Sequence, residues 1–392
     1  MRIALTLLSG IGYGGATYFR NILSELVGFD TVNEYHLFVS TGHPLRTELH
    51  APNVVFHEVV GPSTSVLDRF RYEQLALPGD LRRLRIDLLY TAKNLAVFRA
   101  PCPQVIAIRN MEPFRYREFE NAWRLDVQSR MKWELTKRSI VRADAIIAVS
   151  NAVRDAIIER FPNAAGKISV VYNGTPVIQP IADSRQPIAK SFLLSASKFV
   201  AYANQLALVE GYARLVAKRS DVPPLWFAGG VHDRQYFERV RGRVATLGLG
   251  DHVRFLGLVP QHELHTLMRS ATAFVFPSMV EACPHTLLEA MACGVPVATS
   301  NVPPMPEICG SAAVYFDPRD PEDIARAIAP LLDDASLRER LVAAGRVRVA
   351  EFTWDSTARG LIDIFNGIFS APGPTIDQGI RVSVIREESA NP

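Results

Sequence analysis

The sequence predicts an α/β protein made of two doubly wound, Rossmann-like domains, each with a mostly parallel sheet. Apolar strand-like runs alternate with helical segments along nearly the whole chain, the pattern of repeated βα units. The alternation comes in two series, parted by Thr175 to Pro187, a stretch with several prolines and polar residues. At 392 residues the chain is also long enough for two ordinary domains with separate cores.

Taken in order, the first series of strands covers Ile3 to Leu7, Tyr35 to Val39, Val54 to His57, Ile86 to Tyr90, Val105 to Ile108, Ala145 to Val149 and Ile168 to Tyr172. The second covers Phe192 to Ala196, Leu225 to Ala228, Val253 to Phe255, Ala273 to Phe276, Val297 to Thr299 and Ala313 to Phe316. A last helix is expected over Asp355 to Phe369, after Phe352-Thr-Trp354, and the tail beyond Ala371 reads as loose. The expected organisation is thus 1–180, 181–353, a helix over 354–370 that crosses back to the first domain, and a tail over 371–392.

Composition narrows the function classes. With 48% hydrophobic and 21% charged residues the chain is globular, and a net charge of +3 without any recognition motif argues against nucleic acid. No stretch approaches the roughly 20 apolar residues needed to span a bilayer. The start, Met1 to Gly10, reads as a first strand running into a Gly-rich loop, not as a secretion signal. Cys102, Cys283, Cys293 and Cys309 lack metal-ligand spacing, so reduced thiols in a cytoplasmic protein are expected and no metal site is.

The segment richest in chemistry is Glu281-Ala-Cys-Pro-His-Thr-Leu-Leu-Glu289. Pro284 suits a first helical turn, and Leu287, Leu288 and Met291 followed by Gly294 give a short apolar helix with a stop. Its first turn offers unpaired amides and a partial positive charge, a ready site for a diphosphate. Glu281 precedes the helix and Glu289 lies about a turn inside, so both can face a ligand lying across its mouth. The flanking strands put this mouth at the carboxyl end of a parallel sheet, where such folds bind ligands.

Further along and before this segment stand Gly14-Gly15, Val149-Ser150, Tyr172-Asn-Gly174, Phe227-Ala-Gly229-Gly230, Arg254 to Val259, Met305-Pro-Glu307, Ala312 to Pro318 and Phe352-Thr-Trp354. In this order they resemble the family 4 retaining glycosyltransferases, which have the two-domain GT-B fold with a cleft between domains. The resemblance covers nearly the whole chain. It implies a second domain that binds a nucleotide-sugar, UDP- or GDP-linked, a first domain that binds the acceptor, and no cofactor or metal. Glu289 would bond the ribose hydroxyls and Glu281 a hydroxyl of the transferred sugar. The backbone from Cys283 through His285, Thr286 and Leu287 would cradle sugar and diphosphate, Gly14 and Gly15 would let the first loop approach the diphosphate, and Leu258 and Val259 would lie near the base.

The chain departs from that family in two places. Relatives carry an Arg and, five residues later, a Lys on the diphosphate; here Lys198 and Ala203 occupy those positions. Either a cation elsewhere substitutes, or the enzyme is slow, or transfer activity is lost; the candidate cation is Arg109, just after a first-domain strand where relatives often carry a His, and its plainer reading is a surface arginine paired with Glu112. Pro284 also removes one amide from the cradle. Ala203 supports an alternative reading, a catalytically weak nucleotide-sugar-binding partner subunit. A glycoside hydrolase fits poorly, because both carboxylates sit on one short element.

The expected acceptor is a glycan, lipid-linked glycan or other glycoconjugate, receiving a hexose-type sugar. Phe114 to Arg142 interleaves Arg115, Arg117, Arg124, Arg130, Lys132, Lys137, Arg138 and Arg142 with Phe119, Trp123 and Trp133. Two readings stand side by side: a basic-aromatic face on the inner surface of an anionic membrane, or a solvated helix balanced by Glu118, Glu120, Asp126 and Glu134.

Overall fold

The computed structural model describes residues 1–8, 14–61, 65–115, 123–175, 178 and 192–369, with backbone only for 14–17 and 123–126. Most of the interdomain segment, the tail, Arg117 to Glu120, and the side chains of Trp123, Arg124 and Asp126 lie outside the described residues.

The first sheet contains β1 (Arg2–Leu7), β2 (Glu34–Ser40), β3 (Val54–Val59), β4 (Leu88–Thr91), β5 (Gln104–Ile108), β6 (Ala145–Ala148) and β7 (Ile168–Val170). Their spatial order is β3-β2-β1-β4-β5-β6-β7 and every pairing is parallel. The second sheet contains β8 (Leu193–Ala196), β9 (Leu225–Ala228), β10 (Val253–Gly257), β11 (Ala273–Phe276), β12 (Val297–Ser300) and β13 (Ala313–Phe316), in the order β10-β9-β8-β11-β12-β13, again all parallel. Helices cover both faces of such sheets, so their inner strands must be apolar on both sides. Strands β4, β5, β8, β11 and β12 are accordingly buried at every residue.

Among the described residues, seven helices bear on the site. They are α1 (Gly14–Phe29), α2 (Trp123–Arg142), α3 (Asn151–Arg160), α4 (Gln205–Lys218), α5 (Gln261–Ser270), α6 (His285–Cys293) and α7 (Trp354–Gly367). α7 follows the second domain in sequence but packs on α1, and its Ala358, Leu361 and Phe365 share a core with Ile3, Leu5 and Leu23 of the first domain.

Of the aromatic residues in the basic-aromatic reading of Phe114 to Arg142, Trp133 does not lie on an open face. Trp133 on α2 packs inward, edge-on against Phe114 at 5.1 Å between ring centroids and beside Phe161 at 6.0 Å. Apolar area removed from water outweighs the attraction of an open surface for an indole, so the outer face of α2 carries Val127, Arg130, Met131, Lys132 and Arg138 without Trp133. Among the described residues no helix is long and apolar enough to cross a membrane.

Candidate active site

In each sheet the strand order reverses at one point, between β1 and β4 in the first and between β8 and β11 in the second. A crevice opens at such points, outside the carboxyl ends of the strands. Lys198 follows β8 and Glu281 follows β11, so the second crevice brings together residues 83 positions apart in sequence. The loop bearing Lys198 is held close to the next one. A Cβ on Gly229, whose φ is +152°, would come within 1.9 Å of the Ser197 carbonyl oxygen, so only glycine lets these two loops meet.

Lys198 is exposed, its Nζ 5.2 Å from the Tyr202 ring centroid. Ala203, which stands where the resemblance places a second cation, is buried at the end of the short 3-10 turn Ala201–Ala203. Asn204 ends that turn in the left-handed region at φ 61° and anchors it, its Nδ2 donating to the carbonyls of Pro318 and Pro277. The turn meets the glutamate loop where the Met279 amide donates to the Tyr202 carbonyl.

Glu281 sits partly buried in that loop, its Oε1 accepting from Ser278 Oγ at 2.9 Å. Burial pushes its carboxyl up to about 7, against the opposing effects of the Ser278 hydrogen bond and the Lys198 charge. Pro284 is the N-cap of α6, with extended ψ of 91°, one residue before the helix begins, not inside its first turn as the sequence suggests. His285 and Thr286 therefore open the helix, and their amides precede any helical acceptor. Leu287 is fully buried and pins this turn to the core. Glu289, on the next turn, is 9% exposed and its Oε1 accepts from Gln261 Nε2 at 2.8 Å. Gln261 opens α5, directly after the loop carrying exposed Leu258 and half-buried Val259.

Across the cleft stands Arg109. It does not pair with Glu112, which binds Lys132 at 3.0 Å; its guanidinium carbon lies 3.5 Å from the Tyr18 ring centroid. Tyr18 shares a 2.7 Å hydrogen bond with Tyr90 and meets Trp354 edge-on at 5.6 Å. Trp354 in turn stacks on His285 at 6.1 Å, linking both domains. Burial, and then the Arg109 charge, hold the His285 imidazole down at about 4, so it is neutral at pH 7. Within this cluster Arg109 Nη1, Trp354 Nε1 and His285 Nε2 are all buried without a hydrogen-bond partner among the described residues. Buried polar groups rarely go unpaired, so three at one place set this cluster apart from an ordinary packed core. Cys283, beside Asn173, is held up at about 11 by burial and so is a packed thiol with no reactive character.

Gly14 and Gly15 begin α1 at the carboxyl end of β1, on the first sheet's reversal point. The spatial partners of the sequence-derived residues were harder to anticipate: Ser278, Gln261, Tyr18 and Trp354 reach the site from four separate segments. A helical i, i+4 spacing of Gln261 and His265 was the one available signal for the Glu289 partners.

Two parallel-sheet Rossmann-like domains meeting across a cleft, with charged residues gathered where the second sheet reverses, define the GT-B class. The chain belongs to the glycosyltransferases of group 1, family 4. The family described as "Glycosyl transferases group 1" matches residues 181–348 and "Glycosyltransferase Family 4" matches residues 13–177, together most of the chain. It is 29% identical to the serotype-specific mannosyltransferase WbdA of Escherichia coli over 62% of this chain and 31% of that protein. The chain thus spans about a third of the length of that relative. It is 28% identical to the alpha-maltose-1-phosphate synthase of Mycolicibacterium smegmatis over 71% of this chain and 76% of that one. Among solved structures, Anabaena Alr3699/HepE in complex with UDP-glucose superposes with a TM-score of 0.72 at 18% identity, covering 94% of this chain and all of the other, a likeness of fold.

Proposed function

We propose that this protein transfers a hexose from a nucleotide-sugar, UDP- or GDP-linked, to a hydroxyl of a glycan or lipid-linked glycan, with retention of configuration. The observation that carries this reading is the pair Glu281 and Glu289 flanking the mouth of α6, with Lys198 beside the first. A hydrolase has no use for a cationic diphosphate cradle between two carboxylates. The serotype-specific mannosyltransferase and alpha-maltose-1-phosphate synthase relatives, and a UDP-glucose complex of the same fold, support the same substrate class.

In this reading Glu289 binds the ribose and Glu281 a sugar hydroxyl, while Lys198, the α6 amides and Arg109 hold the diphosphate in place of a metal ion. The bond from the anomeric carbon to the phosphate oxygen breaks, and the acceptor oxygen bonds to the same face. The acceptor proton passes to the departing phosphate oxygen, so no protein nucleophile is required. Charge developing on that oxygen is met by donors already in place.

The test is to incubate the protein with UDP-, GDP- and ADP-hexoses and a glycolipid extract, then read the new linkage by NMR. An α-donor should give an α-linked product. An inverted product, or release of nucleotide with free sugar only, would contradict the proposal.

A further inference from the structure

Glu289 is held by one face of α5. Gln261 Nε2 donates to its Oε1 at 2.8 Å, and His265 Nε2 stands 3.8 Å from that same oxygen. Gln261 and His265 are one helical turn apart, so a single rigid helix presents both. The Glu289 carboxylate is largely buried, whereas Gln261 is exposed at the rim. His265 Nε2 is buried with no hydrogen-bond partner of its own among the described residues, so its contact with the carboxylate is a loose one and Gln261 makes the firm bond.

We propose that Gln261 is a positioning residue for the donor's ribose. By fixing Oε1 it sets the rotation of the Glu289 carboxylate, so that Oε2 meets the vicinal hydroxyls of a ribonucleotide. The inference rests on the assignment of Glu289 to the ribose. A carboxylate with one oxygen already bonded loses less freedom when the ligand binds, which strengthens the bond it makes. Gln261 acts through Glu289 and its effect must therefore disappear when the ribose hydroxyl is absent. Any contact of Gln261 with the base or phosphate would persist.

Calorimetric dissociation constants for UDP and 2′-deoxy-UDP, or for GDP and 2′-deoxy-GDP if guanine is preferred, separate these cases. Wild type should favour the ribonucleotide. Gln261→Ala should weaken the ribonucleotide about tenfold and the deoxynucleotide less than twofold, collapsing the preference, while Gln261→Glu, which sets a second carboxylate against Glu289, should weaken the ribonucleotide further. Equal weakening of both nucleotides in Gln261→Ala, or no change in either, would overturn the proposal. Glu289→Ala is the separate control: if it too leaves the ribose preference intact, the ribose assignment itself falls and this inference with it. Because Gln261 is exposed, unchanged thermal unfolding of its variants is expected and confirms that a loss of affinity is local.

Discussion

At Lys198 an exposed ammonium stands beside Tyr202 and within electrostatic reach of Glu281, while Ala203 offers no charge. Lys198→Ala should therefore lower kcat about 100- to 1000-fold, read as nucleotide release at saturating donor, because one preorganised donor to the leaving group is removed. A drop under about fivefold would place that role elsewhere, with Arg109 the first residue to examine. Glu281 makes a second prediction, with a definite sign. Its folded-state carboxyl lies at about 7, above the unfolded value near 4.5, so its contribution to stability is present below 4.5 and is lost as pH rises through 7. Glu281→Gln carries no such penalty, so its unfolding free energy should rise relative to wild type between pH 4.5 and 7.5, by at most about 3 kcal/mol, with a higher melting temperature to match, while transfer falls. A difference that is flat with pH would contradict the burial of this carboxylate.

At the scale of elements, the start of α7 depends on a glycine. A Cβ on Gly174 would come within 2.3 Å of the Trp354 amide nitrogen, so Gly174→Ala must push the first turn of α7 away from the segment that follows β7 and disturb the Trp354 stack on His285. A loss of about 1–3 kcal/mol is expected in chemical denaturation, together with weaker donor binding; an unaltered midpoint would contradict this packing. The strands were legible in sequence because parallel strands buried on both faces are written as apolar runs, and β8, β9 and β11 appear where those runs fall. The glutamates were legible because their spacing and the stop at Gly294 mark one local element. What the sequence hid is long-range. Gln261 and Glu289 meet only because α5 packs on α6, and Arg109 prefers the Tyr18 ring to the nearby Glu112 because the fold sets that ring beneath it. The two readings of α2 stayed open in sequence for the same reason, since a basic-aromatic pattern reads alike whether a ring such as Trp133 faces solvent or core.

For the molecule as a whole, the two domains are clasped near the Glu281 loop. Glu307, on the short helix Met305–Cys309 of the second domain, accepts from the first amides of α3, Asn151 N at 2.6 Å and Ala152 N at 2.9 Å, and from the Tyr172 hydroxyl. A carboxylate at a helix N-terminus is doubly favoured, by hydrogen bonds and by the helix dipole. Ser150 Oγ donates to the Ala282 carbonyl at 2.7 Å and Arg115 Nη1 to that of Met279 at 2.8 Å, so the clasp runs directly into the Glu281 loop. Glu307→Ala should thus speed hydrogen exchange at Asn151 and Ala152 and raise the donor KM, with strands β8 and β11 still protected; unchanged exchange at α3 would contradict the clasp. The central claim, that the mouth of α6 is a nucleotide-sugar site, is tested most directly by calorimetric titration of UDP-, GDP- and ADP-sugars into wild type and Glu289→Ala. One donor should bind wild type and bind the variant roughly 10- to 150-fold more weakly, the worth of hydrogen bonds to a charged group. No binding by any of them, or binding indifferent to Glu289, would contradict it.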